Sequence, residues 1–295
     1  MKKIICVTGP TGTGKTAYSL QLAKEHNCSI INMDSVQIYK GMDVGSNKIK
    51  NEEMQGINHH LLSYVGPDEE YTVADFQTAA RGKIEALLEV DDAVILVGGS
   101  GLYFNAVLFE YSFANYQKSD FEYLDKMSKE ELLVELKKID PNFEKIDLNN
   151  PIRMINAIKY YLVNNESITE NKTLEIFSKF QKYDIINYYV DIEDNDVLKQ
   201  LIQKRTRQMI RSGLISEVMR LLENGVKATN KSQQSIGYKQ VHQYLEANDK
   251  DLKFLNEEIA LRTMQYVKKQ RKWFKIKFNP FIKTVQVEKK ENNEE

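Results

Sequence analysis

Two short segments near the start of this chain carry residue types that do chemistry. Residues 9–16 read GPTGTGKT, so Gly9, Gly14, Lys15 and Thr16 fill every defined position of G-x-x-x-x-G-K-[ST]. Glycines let backbone N–H groups turn inward onto phosphate oxygens, and a following helix N-terminus adds roughly half a positive charge. A lysine at this position neutralises phosphate, and a hydroxyl such as that of Thr16 can ligate Mg²⁺. The sequence therefore specifies a phosphate site, without saying which phosphate. A nucleotide triphosphatase of this kind also needs an apolar strand ending in Asp to help hold the metal. The strong later strand, AVILVGGSG, ends in glycines, and SIINMD, closing on Asp34, reads as the only apolar run that ends in Asp. An acid there is expected at the C-terminal edge of the strand neighbouring the phosphate loop, facing the crevice.

These groups need a rigid frame. KIICVTG is a short β-branched run followed by KTAYSLQLAKEH, in which Ala17, Leu20 and Ala23 recur at helical spacing, so the loop sits between strand and helix. SIINMD and AVILVGGSG are further strands, HHLLSYV is a candidate short strand, and residues 35–58 are polar and glycine-dotted loop. TVADFQTAARGKIEALL predicts a helix opened by a Thr72–Asp75 capping box, and LYFNAVL predicts another. Strand–helix alternation of this kind argues for a parallel sheet covered by helices. From about residue 112 the pattern turns helical, YDIINYYVDIE restores a strand, and four helical segments follow. The expected architecture is an α/β core of residues 1–115 and 185–295, including C-terminal helices, interrupted by a helical insertion domain of residues 116–184.

Composition narrows the classes. The chain has 295 residues, 42% hydrophobic and 28% charged, with a formal net charge of −1, which fits one large or two modest soluble domains. Nucleic-acid contact would have to come from local basic patches rather than the overall field. Cys6 and Cys28 lie on apolar stretches without ligand spacing and read as small core residues. His59 and His60 lack further ligands at zinc spacing and read as structural. The first apolar run is too short for a signal segment and none approaches a membrane span, so a cytoplasmic protein is expected. The tail VEKKENNEE reads as frayed.

Asp34 opens DSVQIYKGMDVGSNK. Taken with the phosphate loop and with HHLL, VADF, GGSGLYFNAVL, NNPIRMINAIKYYL, GLISEV, SIGYKQ and KKQRKWF, it resembles the tRNA dimethylallyltransferases over about residues 4 to 275. The resemblance implies a P-loop NTPase-like core with a helical insertion. It also implies transfer of a dimethylallyl group from dimethylallyl diphosphate to N6 of adenosine 37 in the tRNA anticodon stem-loop, with Mg²⁺. The loop (Gly9, Pro10, Thr11, Gly12, Thr13, Gly14, Lys15 and Thr16) would then hold the diphosphate of the prenyl donor rather than ATP, with Thr16 on the metal. By matching position, Asp34 is the general base, Lys239 in IGYK neutralises the leaving diphosphate, and Ser100 positions the adenine. Contacts with tRNA are implied for Asp34, Ser35, Val36, Gln37 and Ser100, and for Ile152, Arg153, Met154, Ile155 and Asn156 in the insertion. A monomer is expected.

The residue types suit that chemistry. An aromatic exocyclic amine is a weak nucleophile and needs an acceptor against it and a good leaving group. A diphosphate leaves well only when N–H groups, Mg²⁺ and cations meet its developing charge; a buried Lys239 would be one of them. VKKQRKWFKIK, with Trp273 and Phe274 among its basic residues, and the cluster Lys204, Arg205, Arg207 and Arg211 are candidate phosphate-tracking surfaces. Leu252, Ile259, Tyr266 and Trp273 recur every seven residues and predict the apolar stripe of the last helix, where Trp273 either packs on the core or stacks on a base. Some basic positions of the family are altered, among them Asn156 in place of Arg and Lys269 in place of Arg, changes that matter where bidentate phosphate contact is needed. Prenylation of free AMP or ADP and a small-molecule kinase are the alternatives. A basic last helix and an insertion are more than a mononucleotide acceptor requires.

Overall fold

The computed structural model describes residues 1–110, 113, 118–169 and 175–288. They form two compact units: Met1–Phe109 with Ile176–Glu295, and Glu110–Glu175. The 115/116 boundary expected from sequence, and the tail from residue 289 on, lie outside the described residues.

The first unit is built on a six-stranded, wholly parallel sheet in the order β3-β2-β4-β1-β5-β6. The strands are β1 (Lys3–Thr8), β2 (Ile30–Asn32), β3 (His59–His60), β4 (Ala93–Val97), β5 (Asp184–Asp191) and β6 (Lys283–Glu288). A central parallel strand is covered on both faces and so reads as a continuous apolar run. Ile4, Ile5, Cys6 and Val7 of β1 and Val94, Ile95 and Leu96 of β4 are all buried. HHLLSYV contributes only the two residues of β3, and KTVQVE, which gave no strand expectation, forms β6 beside β5.

Helices α1 (Lys15–His26), α2 (Val73–Val90) and α3 (Gly101–Leu108) follow the order read from sequence. The expected capping box opens α2: the Thr72 hydroxyl accepts the Asp75 N–H, and the Asp75 carboxylate accepts the Thr72 N–H at 2.8 Å.

The second unit holds α4 (Lys129–Ile139) and α5 (Pro151–Asn164), packed through Leu132, Leu136, Met154, Ala157 and Ile158. Ser128 with Glu131 caps α4, and Asn150 caps α5 with Pro151 in its first turn, where a missing N–H costs nothing.

The first unit closes with α6 (Asn195–Arg211), α7 (Leu214–Glu223), α8 (Tyr238–Glu246) and α9 (Leu252–Trp273), the last running into a π-turn at Phe274–Phe278. The buried face of α9 is not the seven-residue stripe expected. Leu255, Ile259, Ala260, Val267 and Gln270 are buried, whereas Leu252 is half exposed and Tyr266 and Trp273 line a cleft.

Candidate active site

The phosphate loop leaves β1 and enters α1 through three glycines with positive φ, Gly9, Gly12 and Gly14. Gly9 is forced by space as well as by its φ of 139°: a Cβ there would lie 2.0 Å from the carbonyl oxygen of Val190 on β5. Within the loop, the Pro10 carbonyl accepts the Thr13 hydroxyl at 2.9 Å and the Lys15 ammonium. Thr16, on the first turn of α1, presents an exposed side chain.

Asp34 follows β2, but β2 does not neighbour β1, because β4 lies between them. The strand that does flank β1 on the other side is β5, and it too ends in an acid, Asp191. SIINMD is therefore not the only apolar run closing on Asp. Asp191 is already engaged: Arg271 of α9 donates to both of its oxygens, at 2.9 and 3.0 Å, and also reaches the Ile192 carbonyl and Asn195. Such a two-pronged pair leaves little of the carboxylate for a metal.

Asp34 is held differently. Its Oδ1 accepts the backbone N–H of Val36 at 2.8 Å and of Gln37 at 3.3 Å, so one oxygen caps the turn that follows. The Asn32 side chain brackets the same residue, accepting the Asp34 N–H at 3.1 Å and donating to the Asp34 and Leu61 carbonyls. Oδ1 alone makes these two turn bonds.

Four groups converge electrostatically on that carboxylate. Burial lowers the Lys15 pKa to about 8; Asp34 acts against the fall, Arg205 of α6 adds to it, and Asp191 opposes it. Burial also lowers the pKa of Arg205, again with Asp34 opposing. Tyr266 is pushed up to about 12 by burial, with Asp34 adding to the rise and a hydrogen bond with Ser100 reducing it. Tyr103 is raised first by burial, then by Tyr39, with Asp34 adding to the rise.

Beside these groups opens a cleft of about 450 Å³, walled by Ser35, Val36, Tyr39, Tyr103, Tyr266 and Trp273 among others. Ser100 lies in its wall, accepting the Ser35 N–H at 3.1 Å and pairing with the Ser35 hydroxyl at 3.2 Å. Trp273 packs its indole against Gly101 and forms part of the same wall, so packing and a stacking surface are not exclusive. Lys231 and Lys269 border the cleft and give it a basic edge.

Three expectations change. Lys239, expected to be buried against the leaving group, is exposed on the first turn of α8. The second cation sensed by Lys15 and Asp34 is Arg205, which the sequence had grouped with an RNA-facing surface cluster. Its signal was position: α6 carries Leu198, Ile202, Thr206 and Met209 inward, and Arg205 adjoins that face while Lys204 and Arg207 stand exposed. In the second unit, Ile152, Arg153 and Asn156 are exposed, but Met154 is fully buried in that unit's core and Ile155 is half-buried. Met154 thus supports the face instead of forming it.

A Mg²⁺ ion that accompanies a diphosphate keeps several waters and takes only one or two protein oxygens. The Thr16 hydroxyl fits that sparse demand. Among the described residues no cluster of three or more acidic, His or Cys ligands exists, and a dedicated protein cage is not needed for this role.

Known proteins similar to this chain share one activity in their names. The IPP transferase family model matches residues 37–277. The tRNA dimethylallyltransferase of Acholeplasma laidlawii is 38% identical over 282 residues, covering 96% of this chain and 92% of that protein. That of Anoxybacillus flavithermus is 38% identical over 281 residues, covering 93% and 88%. Among solved structures, the tRNA delta(2)-isopentenylpyrophosphate transferase of Staphylococcus epidermidis aligns with a TM-score of 0.68 at 31% identity, covering 97% of this chain and 93% of that one. A eukaryotic dimethylallyltransferase acting on tRNA aligns with a TM-score of 0.84 at 26% identity, covering 98% and 74%.

Proposed function

The chain belongs to the IPP transferase family, and from that premise we propose that it transfers a dimethylallyl group from dimethylallyl diphosphate to N6 of adenosine 37 in tRNA, releasing diphosphate. The observation that carries this reading is the electrostatic influence of Asp34 on both Lys15 and Arg205, with Ser35 and Val36, the residues after Asp34, in the wall of the cleft. An acceptor for a proton and two cations for an anionic leaving group stand within electrostatic reach of one another.

In this reading the phosphate loop, Lys15 and Arg205 bind the diphosphate of the donor. Thr16 would hold a Mg²⁺ ion, which when bound would neutralise part of the diphosphate charge. The dimethylallyl chain enters the cleft along Val36, Tyr39 and Tyr103. As the bond between the allylic carbon and the bridging oxygen breaks, negative charge grows on the diphosphate, and fixed cations and N–H groups stabilise it without reorganising. The adenine N6 forms the new C–N bond, and its proton passes to Oδ2 of Asp34. Adenine 37 has to leave the anticodon stack to reach this point, and Ser100 and Ser35 offer hydroxyls for its edge. Lys231 and Lys269 at the rim, and Ile152, Arg153 and Asn156 of the second unit, are the proposed tRNA contacts. Arg205 takes the leaving-group role that position alone had suggested for Lys239.

The test is incubation with dimethylallyl diphosphate, Mg²⁺ and undermodified tRNA, with AMP as a parallel acceptor. Isopentenyladenosine in the digested tRNA, detected by mass spectrometry, is expected. Product from AMP alone would move the acceptor to a free nucleotide, and product from neither would remove the assignment.

A further inference from the structure

One buried polar side chain in contact with the phosphate loop belongs to none of the groups assigned above. Gln270 of α9 is only 4% exposed and stands on the helix face that buries Val267. A glutamine costs helix packing there unless both ends of its amide are satisfied. Both are. Its Oε1 accepts the backbone N–H of Thr11 at 3.0 Å, and its Nε2 donates to the Gly99 carbonyl at 3.0 Å. The partners fix the orientation of the amide, because an N–H needs the oxygen and a carbonyl needs the NH₂. Gly99 has no room for a side chain on this side: a Cβ would sit 2.3 Å from Nε2.

These two bonds join separate parts of the site. Thr11 belongs to the phosphate loop. Gly99 precedes Ser100, whose hydroxyl accepts the N–H of Ser35, the residue after Asp34. The loop after β4 is also pressed against β2's exit, since a Cβ on Gly98 would lie 2.3 Å from the Met33 carbonyl oxygen. A continuous chain of contacts therefore runs from Thr11 through Gln270, Gly99 and Ser100 to Ser35, beside Asp34.

We propose that Gln270 is a positioning residue that couples the phosphate loop to the loop carrying Ser100, fixing the leaving-group cradle relative to the base. Its side chain borders the cleft, but both ends of its amide are engaged by the two loops. The proposal rests on reading residues 9–16 as the diphosphate site and Asp34 as the base. Small displacements between leaving group and base are costly, because reactive geometry tolerates errors of well under 1 Å.

Gln270→Glu gives a readout that packing alone does not. An ionised carboxylate sets an oxygen against the Gly99 carbonyl; a protonated one restores a donor, and burial raises a carboxyl's pKa into an accessible range. At pH 8 Gln270→Glu is expected to raise KM for dimethylallyl diphosphate and lower kcat, each by about tenfold relative to wild type. Both gaps should shrink by about threefold or more at pH 6 as the O–H donor returns. Gln270→Met should show a comparable loss with no narrowing between the two pH values. Thermal midpoints are measured for each variant. Values within about twofold of wild type, or a Gln270→Glu loss that does not change with pH, overturn the proposal.

Amide hydrogen exchange of the wild-type protein tests the same clamp without a variant. Protection at Thr11 is expected, and exchange at the rate of an open loop overturns it. If wild-type protein forms no isopentenyladenosine, the proposed function fails, while Thr11 exchange still decides whether the clamp exists.

Discussion

Glu217 accepts the hydroxyl of Tyr238 at 2.7 Å while its carboxylate, 3% exposed, also takes the backbone N–H groups of Asp43, Val44 and Gly45 at 2.8 to 3.0 Å. Three sequence segments, DVGSNK, GLISEV and IGYK, are thus tied at one buried acid. A Cβ on Gly45 would lie 2.5 Å from the Tyr238 ring, so the glycine is fixed by the same junction. This junction holds the long loop after Asp34 in place.

Glu217→Ala leaves three backbone N–H groups, that of Gly45 buried, and the buried Tyr238 phenol without their acceptor. Loss of at least about 3 kcal/mol is expected, or a melting point lower by about 6–12 °C for a unit of this size. Calorimetric unfolding of both proteins measures it, and a shift below about 2 °C would mean the junction is not structural.

Asp34→Asn preserves the turn, because the amide oxygen still accepts the Val36 N–H, but the side chain no longer takes a proton. Turnover should fall by about 10²- to 10⁴-fold, with tRNA affinity within about threefold of wild type. Rapid-quench product formation and filter binding separate the two quantities. Unchanged turnover would place the base elsewhere.

Lys15 carries the pH dependence of donor binding. Its folded pKa is lowered to about 8 by burial, so the free protein loses this cation as pH rises through 8. A bound diphosphate restores the charge and takes up a proton. Affinity for inorganic diphosphate should therefore fall by up to about tenfold per unit above pH 8, relative to Lys15→Arg, which stays charged. The stability sign is the reverse. Below pH 8 the buried cation destabilises the fold, and that cost fades between pH 8 and the ordinary lysine value of 10.5, because the unfolded chain there binds more protons. Lys15→Met should thus be more stable than wild type at pH 7, with the difference closing toward pH 10.5. Calorimetric titration and thermal melts across this range check both statements.

Arg205 and Lys204 are adjacent on α6 and should behave differently. Arg205→Ala is expected to raise KM for dimethylallyl diphosphate about tenfold or more and leave the salt dependence of tRNA binding unchanged. Lys204, exposed, should do the opposite when replaced by alanine: donor kinetics unchanged, and the salt slope of tRNA binding smaller by about one ion. A Lys204-like result from Arg205→Ala would return that arginine to the RNA surface.

Much of this site was legible before folding was considered. GPTGTGKT specifies its own conformation, because glycines at fixed spacing between a β-branched run and an amphipathic helix leave the backbone few alternatives. Asp34 was identifiable from its place at a strand end, and the parallel α/β core from strand–helix alternation. These are local properties, determined by side-chain type and short spacing. What the chain could not state by itself was adjacency between distant segments. Strand order set β4 between β2 and β1, and left Asp191 next to the phosphate loop but bound to Arg271. Packing of α6 turned Arg205 inward, packing of α8 left Lys239 in solvent, and packing of α9 buried Gln270 between two loops. Charge and amphipathic pattern describe which residue types a helix carries. Which of them meets the site depends on crossing geometry and on which buried donors and acceptors lack a partner, and only the assembled tertiary structure fixes those.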